Sequence, residues 1–183
     1  MKELSLNVLD ITENSVKAGA TLTKIILEET PDILTIIIAD DGCGMSEETL
    51  KRVVDPFYTT RTTRKVGLGI PFYKLSAEQT GGSFKIESKG IEEYPDEHGT
   101  VVTAVYNKNH IDFTPLGDIV ATVTTLIQGH PDTDFLFSHT VNGKTIELDT
   151  RQLREVLGEE VPLSEYEVIK WIEEFLKEQY INP

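Results

Sequence analysis

The sequence places a carboxylate and an amide at a spacing that could serve phosphate chemistry. Asp10 and Asn14 lie four residues apart in DITENSVKAGAT, residues 10–21, so they would share one face of a helix. The amide oxygen of Asn14 suits Mg²⁺, which binds few protein groups and keeps phosphate oxygens and water as ligands. Asp10 could orient or deprotonate a water or hydroxyl, and Lys17 could reach a phosphate. Taken alone, this pattern is more often a solvated helix face.

A second candidate is the turn DDGCGM, residues 40–45, which follows an almost continuous apolar run. Asp40 would end a buried strand, where its carboxylate could accept a hydrogen bond from an adenine amino group. Gly42 and Gly44 would let a flat ligand approach the backbone. Because Asp-Gly is also common in tight turns, the stretch by itself equally fits a simple strand-to-helix connection.

A third candidate is the stretch PFYTTRTTRKVGLG, residues 56–69, which concentrates hydroxyl and cationic side chains before a helix start. These side chains are those of Thr59, Thr60, Arg61, Arg64 and Lys65. Gly67 and Gly69 open the helix, whose free amides favour an anion. In an acidic chain this cluster indicates a phosphate-bearing ligand, and the open alternative is a flexible surface loop. Neither a P-loop nor a complete G-x-G-x-x-G motif is present.

The elements that must position these residues follow from hydrophobic periodicity and turn signals. The sequence predicts helices at 3–18, 47–54 and 69–79, a hairpin of strands at 22–29 and 33–39, and strands at 83–88 and 100–106. Gly19 would end the first helix and Ser46 would cap the second. Because strands and helices do not alternate strictly, the order favours an α+β fold, a two-layer α/β sandwich.

The composition changes near residue 107, which predicts a boundary between a domain at 1–108 and a small C-terminal accessory module at 109–183. The module is predicted to contain a helix at 116–128, a hairpin around Asn142-Gly143, and helices at 150–157 and 164–180. Thr150 and Ser164 are the expected N-caps. Trp171, Ile172 and Phe175 in the last helix could belong to the core or to a partner surface.

The bulk composition narrows the function classes. The chain has 183 residues and a hydrophobic content of 39%, enough for a core, and its net charge of −14 argues against nucleic-acid and anionic-membrane binding. Its one cysteine, Cys43, allows no intramolecular disulfide and suggests no zinc site. No signal-peptide pattern or long apolar run is present. We therefore expect a cytoplasmic protein.

In their order along the chain, these motifs resemble those of the GHKL ATPase superfamily, which shares the Bergerat ATP-binding fold. The superfamily includes histidine kinases, gyrase B, mismatch-repair ATPases and anti-sigma-factor serine kinases. DITENSVKAGAT resembles the N box, DDGCGM the G1 box, DPFYTTR the F box of sensor kinases, and VGLGI the G2 box. GGSFKIES and the later Gly99-Thr100 are similar to the last strands of the fold, so the resemblance covers residues 4–106.

The resemblance implies Mg²⁺ and ATP as ligands. Asn14 would hold the metal, Asp40 and Thr100 would recognise adenine, and Asp10 would be the catalytic carboxylate. The other expected nucleotide contacts are Lys17, Gly42, Gly44, Met45, Thr59, Thr60, Arg61, Gly67, Leu68 and Gly69.

Three departures from the family pattern shape the functional expectation. The chain begins almost at the N box, so we expect a stand-alone ATP-binding protein without a dimerisation or phospho-acceptor domain. Lys65 stands where the G2 box of histidine kinases usually begins with Gly. Asp10 stands where gyrase-type ATPases and serine kinases have a catalytic Glu. A carboxylate there favours water or a hydroxyl as the phosphate acceptor, although Asp is one methylene shorter than Glu. Glu13, on the same helix, is an alternative catalytic carboxylate.

Three functional hypotheses therefore stay open. The first is a small protein kinase or slow ATPase in bacterial regulation, with a protein partner of unknown identity and a possible homodimer. The second is a non-catalytic ATP/ADP sensor that regulates a partner. The third is the detached catalytic half of a split histidine kinase.

Overall fold

Six helices and six strands make up the part of the chain that the computed structural model describes, residues 2–55 and 68–181. The helices are α1 (Leu4–Lys17), α2 (Glu47–Val53), α3 (Gly69–Glu78), α4 (Ile119–Gly129), α5 (Thr150–Leu157) and α6 (Tyr166–Ile181). The strands are β1 (Leu22–Glu29), β2 (Ile33–Asp40), β3 (Ser83–Lys89), β4 (Gly99–Asn107), β5 (Asp134–Val141) and β6 (Lys144–Asp149). All of the predicted helices and strands are present, with shifts of a few residues at their ends.

The strands form one mixed sheet in the order β3-β4-β2-β1-β5-β6. Only β1 and β5 are parallel among the neighbouring strands of this sheet. Alternate residues of each central strand point into the core: Ile25, Ile38 and Val102 lie in register on one face and are buried. Helices α1, α3, α4 and α6 contribute to the same hydrophobic cluster and cover that face. The predicted α+β two-layer sandwich is therefore confirmed.

The C-terminal residues extend this sheet and share its core. Strand β5 pairs with β1 along its whole length, and β6 pairs with β5. The segment before α4 is joined to the start of α1, because the amides of Leu4 and Ser5 donate to the carbonyls of Pro115 and Leu116 at 2.9 and 2.8 Å. The boundary after residue 108 stays a prediction, and the elements on its two sides lie on one continuous sheet.

Side-chain caps set the starts of α2, α4 and α5, and three helix starts differ from expectation. Ser46 caps α2 as predicted, since its hydroxyl accepts from the amide of Thr49 at 3.2 Å. Helix α4 begins at Ile119 rather than 116, because Asp118 accepts from the amide of Ala121 at 2.9 Å and so acts as its N-cap.

Thr150 was the expected N-cap of α5, and this prediction is wrong. The cap is Asp149, whose carboxylate accepts from the amide of Arg151 at 3.0 Å. The Thr150 hydroxyl is buried instead, donating to Asp134 Oδ1 and accepting from the amide of Phe135, both at 2.8 Å. A carboxylate one residue earlier competes better for the helix amides, which leaves Thr150 to join the helix to β5.

Helix α6 begins at Tyr166, two residues after the expected cap Ser164.

Within residues 2–55 and 68–181, every helix is too short or too polar to cross a lipid bilayer.

Candidate functional site

A cavity of about 580 Å³ opens between α1, the turn after β2 and the start of α3. It brings together predicted residues that are distant in sequence: Asp10, Asn14, Lys17, Asp40, Gly44, Met45, Leu68, Gly69 and Thr100. Gly42 is buried two residues after Asp40. The predicted contacts Thr59, Thr60, Arg61 and Gly67, and the departure at Lys65, lie outside the described residues.

Asp40 is fixed on the cavity wall by two hydrogen bonds. The hydroxyl of Ser15 donates to its Oδ2 at 2.6 Å, and the amide of Gly42 donates to its Oδ1 at 2.9 Å. Ser15 is buried in the face of α1 that packs on the sheet. Each carboxylate oxygen keeps a free lone pair after these bonds, so Asp40 presents an oriented acceptor to the cavity.

The neighbouring Asp41 ties the turn to the start of β1. Its carboxylate accepts from the amides of Thr21 and Leu22 at 2.7 and 3.0 Å, and from the hydroxyl of Thr21. Partial burial raises the pKa of Asp41, but these three donors together outweigh it and hold the pKa below its ordinary value. Asp41 therefore stays ionised and anchors the turn, while Asp40 faces the cavity.

The backbone of this turn is clamped between α1 and the loop after β3. The amide of Cys43 donates to the carbonyl of Ala18 at 2.8 Å. Gly44 has a φ of +65°, and a Cβ at this position would lie 1.9 Å from the carbonyl oxygen of Lys89. Only glycine fits there, because both the backbone conformation and the approach to Lys89 exclude a side chain.

A hydroxyl pair lies beside Asp40, since the predicted residue Thr100 is the cross-strand partner of Asp40 and lines the cavity, while its neighbour Ser88 was missed by sequence reasoning. Ser88 Oγ lies 2.8 Å from Thr100 Oγ1 and accepts from the amide of Met45 at 2.8 Å. Antiparallel pairing of β3 and β4 sets Ser88 opposite Thr100. The sequence held no signal for this register, and Ser15 was likewise missed, although it directly follows Asn14.

One face of α1 supplies the acid–base and metal-binding candidates. Asp10, Asn14 and Lys17 all line the cavity, as does Glu13. The start of α3 lies against this face, since a Cβ on Gly69 would be 3.6 Å from that of Asp10. Glu13 Oε1 is 2.8 Å from His130 Nε2, so the residue after α4 holds the alternative carboxylate at the cavity edge.

The charge of the cavity favours a ligand that brings a cation. Among its described lining residues, Asp10, Glu13 and Asp40 are acidic and Lys17 alone is basic. The described residues contain no group of three or more His, Cys, Asp or Glu side chains that could hold a metal by themselves. Asn14 offers one amide oxygen, which fits Mg²⁺ in the mode where phosphate oxygens and waters complete the coordination.

Comparison with known proteins gives a consistent result. Residues 2–110 match the family model described as histidine kinase-, DNA gyrase B-, and HSP90-like ATPase. Sporulation kinase E of Bacillus subtilis is 32% identical over 89 residues, which is 49% of this chain and 12% of that protein. A putative sensor protein of Shewanella frigidimarina is 31% identical over 91 residues, 48% of this chain and 14% of that protein. The chain thus spans a small part of these relatives.

Solved structures show the same fold at low sequence identity. The Aquifex aeolicus MutL ATPase domain complexed with ADP has a TM-score of 0.56 and 16% identity, with 86% of this chain and 69% of that chain covered. The N-terminal domain of a DNA repair protein has a TM-score of 0.55 and 15% identity, covering 87% of this chain and 58% of that chain.

Proposed function

Since the chain belongs to the family of histidine kinase-, DNA gyrase B-, and HSP90-like ATPases, we propose that it binds Mg²⁺-ATP and acts as a small protein kinase or slow ATPase in bacterial regulation. The observation that carries this proposal is the Asp40 carboxylate, fixed by Ser15 and Gly42 on the wall of a cavity large enough for a nucleotide. We propose the bacterial cytoplasm as its location and a protein as its partner.

Adenine recognition is assigned to Asp40 and Thr100. The Asp40 carboxylate accepts from the exocyclic amino group, for which its orientation is already set before the ligand arrives. The Thr100 hydroxyl, held beside Ser88, supplies a second polar contact to the base. Apolar lining residues such as Ile70 and Val102 flank the base and exclude water from these bonds.

The phosphates are assigned to α1 and the start of α3. Lys17 contacts them as a point charge, and the free amides at the start of α3, beginning at Leu68 and Gly69, favour the anion. We add Thr59, Thr60, Arg61 and the amide of Gly67 from the family resemblance. Asn14 holds Mg²⁺, which neutralises charge on the phosphate oxygens.

Asp10 is the proposed catalytic carboxylate. It orients the attacking hydroxyl of water or of a protein side chain and takes its proton. The oxygen of that hydroxyl forms the new bond to the γ-phosphorus, while the bond between that phosphorus and the bridging oxygen breaks and ADP leaves. The protein contributes mainly by orienting the reactants and stabilising charge, because phosphoryl transfer requires little covalent chemistry from the protein.

The test is single-turnover conversion of Mg²⁺-ATP beside equilibrium nucleotide binding. We expect Asp10→Asn to bind ATP as the wild type does and to lose turnover by about 10²- to 10⁴-fold. Asn14→Ala should weaken Mg²⁺-dependent binding. Glu78→Gln is the matched control, because it removes an exposed carboxylate at the far end of α3 and should change neither quantity.

Three other outcomes of this experiment would contradict the proposal or indicate another function. Absence of nucleotide binding in the wild type would refute the site. Tight binding without turnover, unchanged in Asp10→Asn, would indicate a nucleotide sensor or a kinase that requires its protein substrate. An acid-labile phosphate on a histidine-bearing partner would identify the catalytic half of a split histidine kinase, a role that the sensor-kinase relatives make worth testing.

A further inference from the structure

A shallow groove of about 200 Å³ lies between β6, α5 and α6, on the opposite flank of the sheet from β3 and β4. We name it the Trp171 groove; its apolar lining consists of Leu148, Leu153, Val156, Trp171 and Phe175. The rings of Trp171 and Phe175 stack with centroids 4.9 Å apart and planes 12° apart. Trp171 is 48% exposed and Val156 is 84% exposed.

The exposed side chain of Trp171 is not needed to attach α6 to the core. Val168, Ile172 and Leu176 are the buried residues of α6 and fix the helix on the sheet. The sequence left open whether Trp171, Ile172 and Phe175 were core or partner surface. The structure separates them, since Ile172 is fully buried while Trp171 carries its indole into the groove. A large aromatic residue left half exposed beside aliphatic neighbours is typical of a binding surface.

Carboxylates surround the apolar lining of the Trp171 groove. Glu147 and Asp149 line the groove itself. On α6, Glu167, Glu174 and Glu178 lie four residues before, three after and seven after Trp171, so they share its helix face.

The surrounding chain supplies few cations to offset them. Residues 109–183 contain 14 acidic and 5 basic residues, a net charge of −9. Arg151 pairs with Asp149, Arg154 with Asp134, and Lys177 with Glu173. Arg151 thus offsets Asp149, and the negative charge of the rim comes from Glu147, Glu167, Glu174 and Glu178.

Addition of a partner strand to β6 does not suit this site at Glu147. The amide of Glu147 donates to Gln179 Oε1 at 3.1 Å, and its carbonyl accepts from Gln179 Nε2 at 3.2 Å. The α6 side chain thus occupies the backbone groups that an added strand would use. Recognition must therefore come from side chains.

We propose that the Trp171 groove binds a cationic amphipathic segment of a partner protein. Apolar side chains of that segment enter the groove beside Trp171 and Phe175. Its Lys or Arg side chains pair with the carboxylate rim and stack on the exposed indole face. A second copy of this chain does not fit, because it would bring one acidic rim against another. The proposal is independent of the nucleotide site.

Trp171 makes the test direct, because it is the only tryptophan of the chain. The probe is a synthetic amphipathic Leu/Lys helix peptide, titrated while intrinsic fluorescence is followed; the same peptide with Glu for Lys is the comparison. We expect a saturable blue shift with the Leu/Lys peptide only. Val156→Arg and Glu147→Lys should each weaken binding at least about tenfold.

The matched control is Ile111→Arg, which adds the same charge at a side chain that is 94% exposed outside the groove. It should bind the peptide as the wild type does. Equal binding of the Glu peptide, equal weakening in Ile111→Arg and Val156→Arg, or absence of any shift would overturn the proposal. So would a peptide-independent blue shift that grows with protein concentration together with a dimer in sedimentation, which would assign the groove to self-association.

Discussion

Removing the Ser15 hydroxyl tests whether the orientation of Asp40 sets nucleotide affinity. Ser15→Ala deletes a 2.6 Å hydrogen bond to the Asp40 carboxylate at a site where Ser15 is 3% exposed. A hydrogen bond to a charged group contributes about 1.5–3 kcal/mol. That energy corresponds to about a 10- to 150-fold rise in Kd if all of it is lost on binding. This is an upper limit, because the bond also exists before the nucleotide binds.

The affinity falls because Asp40, held then only by the Gly42 amide, turns partly toward water in the free protein and must be reoriented for the ligand. We therefore expect Kd for ATP to rise about tenfold in Ser15→Ala, measured by calorimetric titration at fixed Mg²⁺. The preference for adenine over guanine nucleotides should fall with it, because Asp40 is the group proposed to recognise the base. On an Asp40→Ala background, Ser15→Ala should have little further effect.

Thr12→Val is the matched control for this experiment. Thr12 lies on the same helix, is fully buried, and its hydroxyl forms no hydrogen bond within the described residues. Valine keeps the shape of the side chain, so Kd should stay within about twofold and stability should not fall. The reasoning is refuted if Ser15→Ala binds ATP with wild-type affinity and selectivity while urea unfolding shows that both variants are folded.

Two further predictions concern the turn and the buried histidine. Gly44→Ala should destabilise the fold by more than about 2 kcal/mol in urea unfolding, because its Cβ would lie 1.9 Å from the Lys89 carbonyl at a positive φ. His139 is buried between Tyr180 and Glu29, and burial lowers its pKa below 6.5 although Glu29 opposes this. The unfolded chain then protonates first, so stability should fall as pH drops below about 6.5, and His139→Gln should flatten this slope below about pH 6.5. Equal slopes for wild type and variant would exclude His139 as the cause.

Local patterns explain why the elements and the main motifs could be predicted. The apolar runs of β1 and β2, the Asn-Gly turn before β6 and the Ser46 cap each act within a few residues, so they are visible in sequence. Asp40 and Asn14 were found because their residue types and spacing suit a nucleotide. Ser88 was not found, because its contact depends on the register between β3 and β4.

The pairing of β5 with β1 was beyond local reasoning, but the sequence of α4 held a clue to it. The segment IVATVTTLIQG contains no charged residue, and its buried residues fall on most of its circumference. Its exposed side carries only Ala121, Thr125, Gln128 and Gly129, so the helix must bury a wide apolar face, which indicates more than one packing partner. In the structure α4 contacts both α1 and α6, and it connects β4 to β5, two strands that run in the same direction on either side of β2 and β1. The same arrangement places His130 against Glu13 at the cavity, so a residue beyond the family match helps to hold a side chain of the proposed nucleotide site.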